Sequence, residues 1–417
     1  VLAKYVRDRK SERIALLSIT VIIFIIQLIT LRPQVGLGEP YFIAKNIAAG
    51  YGYTFKMPFA ELPSVSCFIP PLYVLFHLVL IKLGLTVAIS GIAGLLFFHC
   101  ANYFLYRLFK QILGATLAFA GFILFGLYLP LWIVAQKADP DALNLMLLAV
   151  TIFLIYRICN DAPKKYHIYL GVVFGIQLLV RPDILLGMVI FGLWLLLPKH
   201  ARLEKLKWYL VSVAIALLIA SPWTIRNYIT FESFVLVSAN SGYNFYMGNN
   251  LNATGEMFQS VKSLEGSQEV DSIKSFFRTH ESDVVRDSYL FNVGKRWVMA
   301  HPLEAAALWI KKFYMHWWYR SNAGSEVESR PWMIVGYGII SIYLLLFGVI
   351  GLFSVKESRI RSLFLSLFLY STLISVIFFV QSRHRALKVD PSLIYLSVAG
   401  VAVGIGKVFN KNERFTT

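Results

Sequence analysis

Apolar residues recur along this chain in runs separated by short polar segments. Crossing a bilayer takes about 20 predominantly apolar residues, fewer where a helix is shielded by protein. Runs that approach this length lie at 13–31, 87–106, 113–135, 141–158, 168–180, 184–198, 207–224, 333–354, 361–380 and 388–406. A further run, 68–83, begins at Pro70-Pro71. The pattern predicts an all-α polytopic membrane protein of about ten transmembrane helices, with juxtamembrane helices in its first outer loop. The first run is too long for a signal-peptide core and lacks a small-residue cleavage site, so it is expected to be a retained helix.

The charged residues fall between the runs. Basic clusters stand at Lys4 to Arg13, Arg107 to Lys110, Arg157 to Lys165, Lys199 to Lys207, Lys356 to Arg361 and Lys407 to Arg414. Cytoplasmic loops carry the excess of Lys and Arg. All six clusters share one side only if 68–83 does not cross, which predicts a half-inserted or juxtamembrane helix there and both termini in the cytoplasm. Three segments are then extracytoplasmic: 32–86, Gln136 to Asp141, and 226–332. The expected organisation is a transmembrane catalytic module over 1–225, a large outer loop over 226–332, and C-terminal helices over 333–417.

Composition narrows the class. Of 417 residues, 57% are hydrophobic and 15% charged, against roughly 45–50% and about 25% in ordinary globular chains. Most of the chain therefore avoids water. Forty Lys and Arg against 23 Asp and Glu give +17, but these charges sit in loops beside anionic lipid rather than on a soluble face, so no nucleic-acid partner is expected. Cys67, Cys100 and Cys159 have no metal-ligand or disulfide spacing, and no metal ligand set is assigned.

Polar residues at the outer surface carry the candidate chemistry. Glu39 follows the first run in Gly36-Leu37-Gly38-Glu39-Pro40-Tyr41-Phe42. A carboxylate at the membrane boundary suits a general base toward a hydroxyl, and it equally suits a helix N-terminus. Asp139-Pro140-Asp141 opens the span 141–158, either as helix-terminal acids or as a second acidic element facing Glu39 across a shared cavity. Such a pair could orient a substrate or hold a divalent cation through oxygen ligands. Arg181-Pro182-Asp183 puts a basic residue at membrane depth, where charge usually marks function and Arg suits bidentate phosphate binding; a structural ion pair is the other reading. The exit Ser221-Pro222-Trp223-Thr224-Ile225-Arg226-Asn227 leads into Asn240-Ser241-Gly242-Tyr243 and Gly248-Asn249-Asn250. This density of aromatics and amides suits sugar recognition, as well as an interfacial belt. Gln381-Ser382-Arg383-His384-Arg385 is basic yet lies outside in this topology, which suits a phosphate ligand, with Lys388 close by.

Taken in this order, the motifs resemble those of the C-type (GT-C) membrane glycosyltransferases, nearest the protein O-mannosyltransferase and aminoarabinose transferase branch. The resemblance runs over roughly residues 13 to 400: an acid after the first helix, a Pro-Pro opening, a second acidic pair, an Arg-Pro-acid turn, the Pro-Trp-Thr-Ile-Arg-Asn exit, Trp297 with His301-Pro302, and a late basic loop. It implies Glu39 as the first-loop catalytic acid and Asp139 and Asp141 as the second-loop pair. Two departures stand out. The first acid is commonly Asp, and few residues follow the last helix, which leaves acceptor recognition to the loops.

The resemblance implies an inverting transfer of sugar from a polyprenyl-monophosphate donor to a glycan, lipid or protein acceptor. Glu39, Asp139 and Asp141 would be catalytic. Arg181, Arg226, Asn227, Tyr243, Asn249, Arg383, His384 and Arg385 would bind substrate. No cofactor is required, although a divalent cation is compatible. A bacterial inner membrane is the expected site. A secondary transporter or lipid flippase with an acidic ion-coupled site is the alternative, though no internal repeat supports it. A structural subunit whose long loop binds a partner is a third reading.

Overall fold

The computed structural model describes residues 9–30, 38–197, 203–257, 266–318 and 331–409. The basic residues Lys4, Lys199, Lys411 and Arg414, and the Gly36-Leu37 turn, lie outside these described residues. Eighteen helices and one short hairpin are described.

Helix α1, Arg9–Thr30, is the first apolar rod. It is followed by α2, Glu39–Ala48, and by the hairpin of β1, Thr54–Phe55, and β2, Ser64–Val65, which pairs Thr54 with Val65 and Phe55 with Ser64. Helix α3, Pro71–Lys82, starts where Pro70 and Pro71 supply the fixed φ of a first turn. Its 12 residues reach about 18 Å at 1.5 Å each, short of a bilayer core of about 30 Å. Helix α4, Ala88–Leu113, ends at Gly114, whose φ of 82° turns the chain back.

The run 113–135, expected as one span, is broken. Helices α5, Ala115–Gly126, and α6, Leu129–Ala135, are bent by 57°. Pro130, near the start of α6, has no N–H to continue the ladder. After it come α7, Asp141–Cys159, α8, Lys165–Val180, α9, Ile184–Leu195, and α10, Leu203–Phe231.

The long segment after α10 is helical too: α11, Ser241–Gly248, α12, Gln268–Thr279, α13, Asp283–Ala300, and α14, Pro302–Trp317. The chain closes with α15, Pro331–Ser354, α16, Ser358–Ile377, α17, Ser382–Lys388, and α18, Asp390–Phe409.

Each expected span coincides with a helix or with the bent pair. Among the described residues six helices are long and apolar enough to cross a membrane, or seven if the bent pair counts as one; Lys165–Val180, Ile184–Leu195 and Asp390–Gly406 are apolar but shorter. Large apolar side chains on α1 and α15 stay exposed, Leu17, Ile29, Val335 and Ile339 among them, as expected of helices that face lipid. One large core joins α4, α5, α7, α8, α9, α10, α16 and α18. Close approach is set by small residues. A Cβ on Gly351 of α15 would run into the carbonyl of Leu396, and one on Gly400 of α18 into that of Phe347. A separate core unites this segment with the first loop: Met57, Phe68, Tyr243, Tyr246, Phe277, Leu290 and Phe379.

Candidate active site

Three breaks in helical structure converge on one charged cluster. Pro140 presets the turn into α7, so Asp139 and Asp141 flank its start. Arg181 is extended, with φ −148° and ψ 98°, because Pro182 interrupts the chain between α8 and α9. Arg383 lies in the first turn of α17.

Asp141 is only 2% exposed, and both its oxygens are engaged. Arg181 Nη2 donates to Asp141 Oδ1 and lies 3.6 Å from Asp139 Oδ1. Arg383 Nη1 lies 3.3 Å from Asp141 Oδ2 and 3.4 Å from Asp139 Oδ2, while its Nε donates to Gln381 Oε1 at 2.6 Å. Each guanidinium thus bridges both carboxylates, a task its planar fork suits. Burial raises the pKa of Asp139, the Asp141 charge adds to this, and the two arginines oppose it. Burial acts against the charge on Arg181, yet Asp141 and Asp139 hold its pKa above the ordinary value.

Next to this cluster, Lys388 pairs with Asp183 and lies 5.0 Å from the Tyr370 ring centroid. Arg385 faces elsewhere. Its Nε donates to Asp390 Oδ1 at 2.8 Å and its Nη1 to the Trp317 carbonyl at 2.9 Å, while Asp390 also accepts from Tyr128. His384 stacks on Phe379. Burial, then Lys388 and Arg383, push its pKa well down, so the ring is neutral.

Glu39 stands in the first turn of α2 and is exposed. It makes no hydrogen bond or ion pair with another described residue. Its charge still reaches Asp139, and with burial it pushes Tyr243 up to about 12. The start of α2 is fixed against the 136–140 turn: a Cβ on Gly38 would touch the Ala138 carbonyl at 3.9 Å. His77 of α3 lies 3.4 Å from the same carbonyl and 3.2 Å from Ser90 Oγ, and it meets Tyr41 and Tyr73 edge-on.

The end of α10 and the segment after it supply the remaining candidates. Asp287 accepts from the backbone N–H of Gly242 at 3.0 Å and of Tyr243 at 2.8 Å, which satisfies the start of α11. Tyr243 is thereby held, packed on Phe59 and Phe68. Asn249 is fully buried. It donates to the carbonyls of Phe245 and Ile377 and accepts from Trp309 and Lys312. Arg226 donates to the Ser66 carbonyl at 2.8 Å and sits among Tyr53, Trp223 and Phe231. Asn227 donates to the carbonyls of Val235 and Val237. These last three side chains tie the segment after α10 to its neighbours.

Glu39, Asp139, Asp141, Arg181, Arg383 and Tyr243 are therefore near neighbours, whereas Arg226, Asn227, Asn249 and Arg385 are engaged in internal bonds. Sequence reasoning passed over Tyr73, Asp287 and Lys312. The spacing of Ala305, Leu308, Lys312 and Met315 carried a usable signal, since it places the lysine on the buried face of α14. Among the described residues no group of three or more His, Cys, Asp or Glu is arranged to hold a metal.

Residues 70–225, less than half of the chain, match the family model described as dolichyl-phosphate-mannose-protein mannosyltransferase. No curated protein matches the chain significantly. Among solved structures, the chain is similar to the Archaeoglobus fulgidus oligosaccharyltransferase tethered with an acceptor peptide containing the NVT sequon. The TM-score is 0.54 at 14% identity, over 94% of this chain and 50% of that one. The same enzyme in complex with Zn and sulfate gives 0.54 at 13%, over 94% and 49%. ArnT from Cupriavidus metallidurans bound to undecaprenyl phosphate is a looser likeness, with TM-score 0.44 at 12%, over 96% and 79%. The chain spans about half the length of the oligosaccharyltransferase it matches. In fold, and in the family model that its residues 70–225 match, this chain resembles the GT-C membrane glycosyltransferases.

Proposed function

We propose that this protein is an inverting glycosyltransferase that moves a sugar from a polyprenyl-monophosphate donor to an acceptor hydroxyl outside the cytoplasm. One observation carries the reading. An exposed carboxylate, Glu39, without an ion-pair partner among the described residues, stands beside a cluster in which two arginines and two aspartates are held in fixed geometry. The description of the family model, which names a dolichyl-phosphate sugar, supports the donor class.

Glu39 takes the proton of the acceptor hydroxyl. The oxygen attacks the anomeric carbon as the bond from that carbon to the phosphate oxygen breaks, through an oxocarbenium-like transition state. The phosphate leaves with both electrons of that bond. Arg383, whose side chain is 35% exposed, is the best placed cation to receive it; removing one such electrostatic contact costs about 10²–10³ in turnover in other enzymes. Arg181 orients the carboxylate pair. A divalent cation remains optional, because arginine alone can receive a monophosphate leaving group; a cation held at Asp139 and Asp141 would have to displace the two guanidinium groups.

The same reading places the chain in a bacterial inner membrane, with ten spans, both termini cytoplasmic and the site on the outer face. The module over 1–225 supplies the acids and Arg181, the segment 226–332 supplies Tyr243, and 333–417 supplies Arg383.

The test is turnover of labelled polyprenyl-phosphate sugars by the purified protein beside Glu39→Gln. Transfer by wild type, lost by about 10³-fold or more in the variant with an unchanged melting temperature, supports the reading. Full activity in the variant removes Glu39 as the base, and a folded wild type inert toward every donor overturns the reading as a whole.

A further inference from the structure

Tyr73 of α3 is 2% exposed, and its hydroxyl finds no hydrogen-bond partner among the described residues. Buried hydroxyls are nearly always paired, and an orphan calls for an explanation. The ring is fixed edge-on to His77 at 4.9 Å, and His77 is itself bound to the Ala138 carbonyl next to Asp139. Burial, with the charges of Asp139 and then Asp141 near at hand, pushes the Tyr73 pKa up, so the group remains an O–H donor. On the same cluster, Asp139 Oδ1 is buried without a hydrogen bond among the described residues, with Arg181 Nη2 at 3.6 Å. An unpaired donor, the Tyr73 hydroxyl, thus stands within electrostatic reach of the carboxylate that carries an unpaired acceptor. Such a pair suits a neutral group that both accepts and donates, while the half-exposed cation of the cluster lies at Arg383.

We propose that Tyr73 is a substrate-contacting residue, whose hydroxyl donates to one hydroxyl of the donor sugar while that hydroxyl donates to Asp139 Oδ1. The proposal rests on the glycosyltransferase reading and assigns to this corner of the site the sugar ring rather than the phosphate. The phosphate belongs on the side of Arg383.

The experiment compares wild type with Tyr73→Phe as full-length protein in detergent. The probes are a panel of short-chain polyprenyl-phosphate hexoses and their monodeoxy analogues, and both binding and turnover are read. Removing an orphan hydroxyl from a buried site leaves the melting temperature of the free protein unchanged or raised. The variant binds its best parent donor about 10- to 100-fold more weakly, the usual consequence of leaving a buried partner unpaired. For the single monodeoxy donor that lacks the contacted hydroxyl, the variant and wild type bind alike. A lowered melting temperature overturns the assignment, because it means that the hydroxyl is bonded within the protein. Equal binding of the parent donor by both forms overturns it, as does an equal loss across every analogue. These results leave an active wild type in place and so strike Tyr73 alone. A wild type that neither binds nor turns over any donor overturns the glycosyltransferase reading and this assignment together.

Discussion

Lys312 donates through Nζ to Asn249 Oδ1 at 3.2 Å, inside a site from which the lysine has no solvent exposure. Its second acceptor is the Val376 carbonyl, so the bond ties α14 and α11 to the end of α16. Burial pushes the Lys312 pKa down from 10.5 to about 7. An amine whose folded pKa is depressed stabilises the fold above its unfolded pKa, and this stability is lost as pH falls through the folded value. The melting temperature of the wild type should therefore rise between pH 7 and pH 10. Lys312→Met should flatten that slope and melt higher than wild type at pH 7. A wild type with no rise over this window refutes the account.

Asp283 behaves in the opposite sense. Burial pushes its pKa up from 3.8 to about 6, against hydrogen bonds from Ser66 Oγ and the Cys67 N–H. The folded protein then holds this proton more tightly than the unfolded chain, so the contribution of Asp283 to stability is greatest below pH 4 and is lost as pH rises through 6. The shift corresponds to about 2–3 kcal/mol. Asp283→Asn should remove the fall, as read by thermal melts from pH 4 to pH 7.

Gly248 has no room for a side chain. A Cβ there would strike the Phe378 carbonyl and come within 3.2 Å of Lys312 Nζ. Gly248→Ala should destabilise by about 1–3 kcal/mol, in the range of overpacked interiors. Proteolysis should then begin in the 226–318 segment before the transmembrane helices are cut. Unaltered melting and protease resistance would show that the contact is dispensable.

Arg383 contacts Asp139, Asp141 and Gln381 from one planar group. A lysine retains the charge but cannot keep three such directions at once. We expect Arg383→Ala to lower turnover by about 10²–10³-fold. Arg383→Lys should recover only part of that loss. Full recovery by lysine would reduce the role of Arg383 to simple charge.

The helices were largely legible because a hydrophobic run of bilayer length has few alternatives. The break at Gly126 and Pro130 was legible too, and it was passed over because uninterrupted hydropathy outweighed one proline. At the site, Asp139, Asp141, Arg181 and Arg383 were readable as charges out of place, since burying a charge is costly enough to need a reason. The amide-rich and aromatic setting of Arg226, Asn227 and Asn249 suits ligands, and the fold gives each of them internal partners. An amide bound to carbonyls such as those of Val235, Val237 and Ile377 has the same composition as one that faces a sugar, and only coordinates separate the two. Tyr73 lay hidden for a related reason, as nothing in Pro70-Pro71-Leu72-Tyr73 shows that its hydroxyl is unpaired.

The bridged set of Asp139, Asp141, Arg181 and Arg383 joins two carboxylates to two guanidinium groups. On the glycosyltransferase reading proposed above, an arriving phosphate exchanges with a carboxylate for its share of Arg383, and each departing phosphate is replaced by that same carboxylate waiting beside it. Capture would be weakened by this competition and release hastened by it. If a lipid carrier has to be shed after every cycle, self-neutralised arginines would work as a spring against product retention.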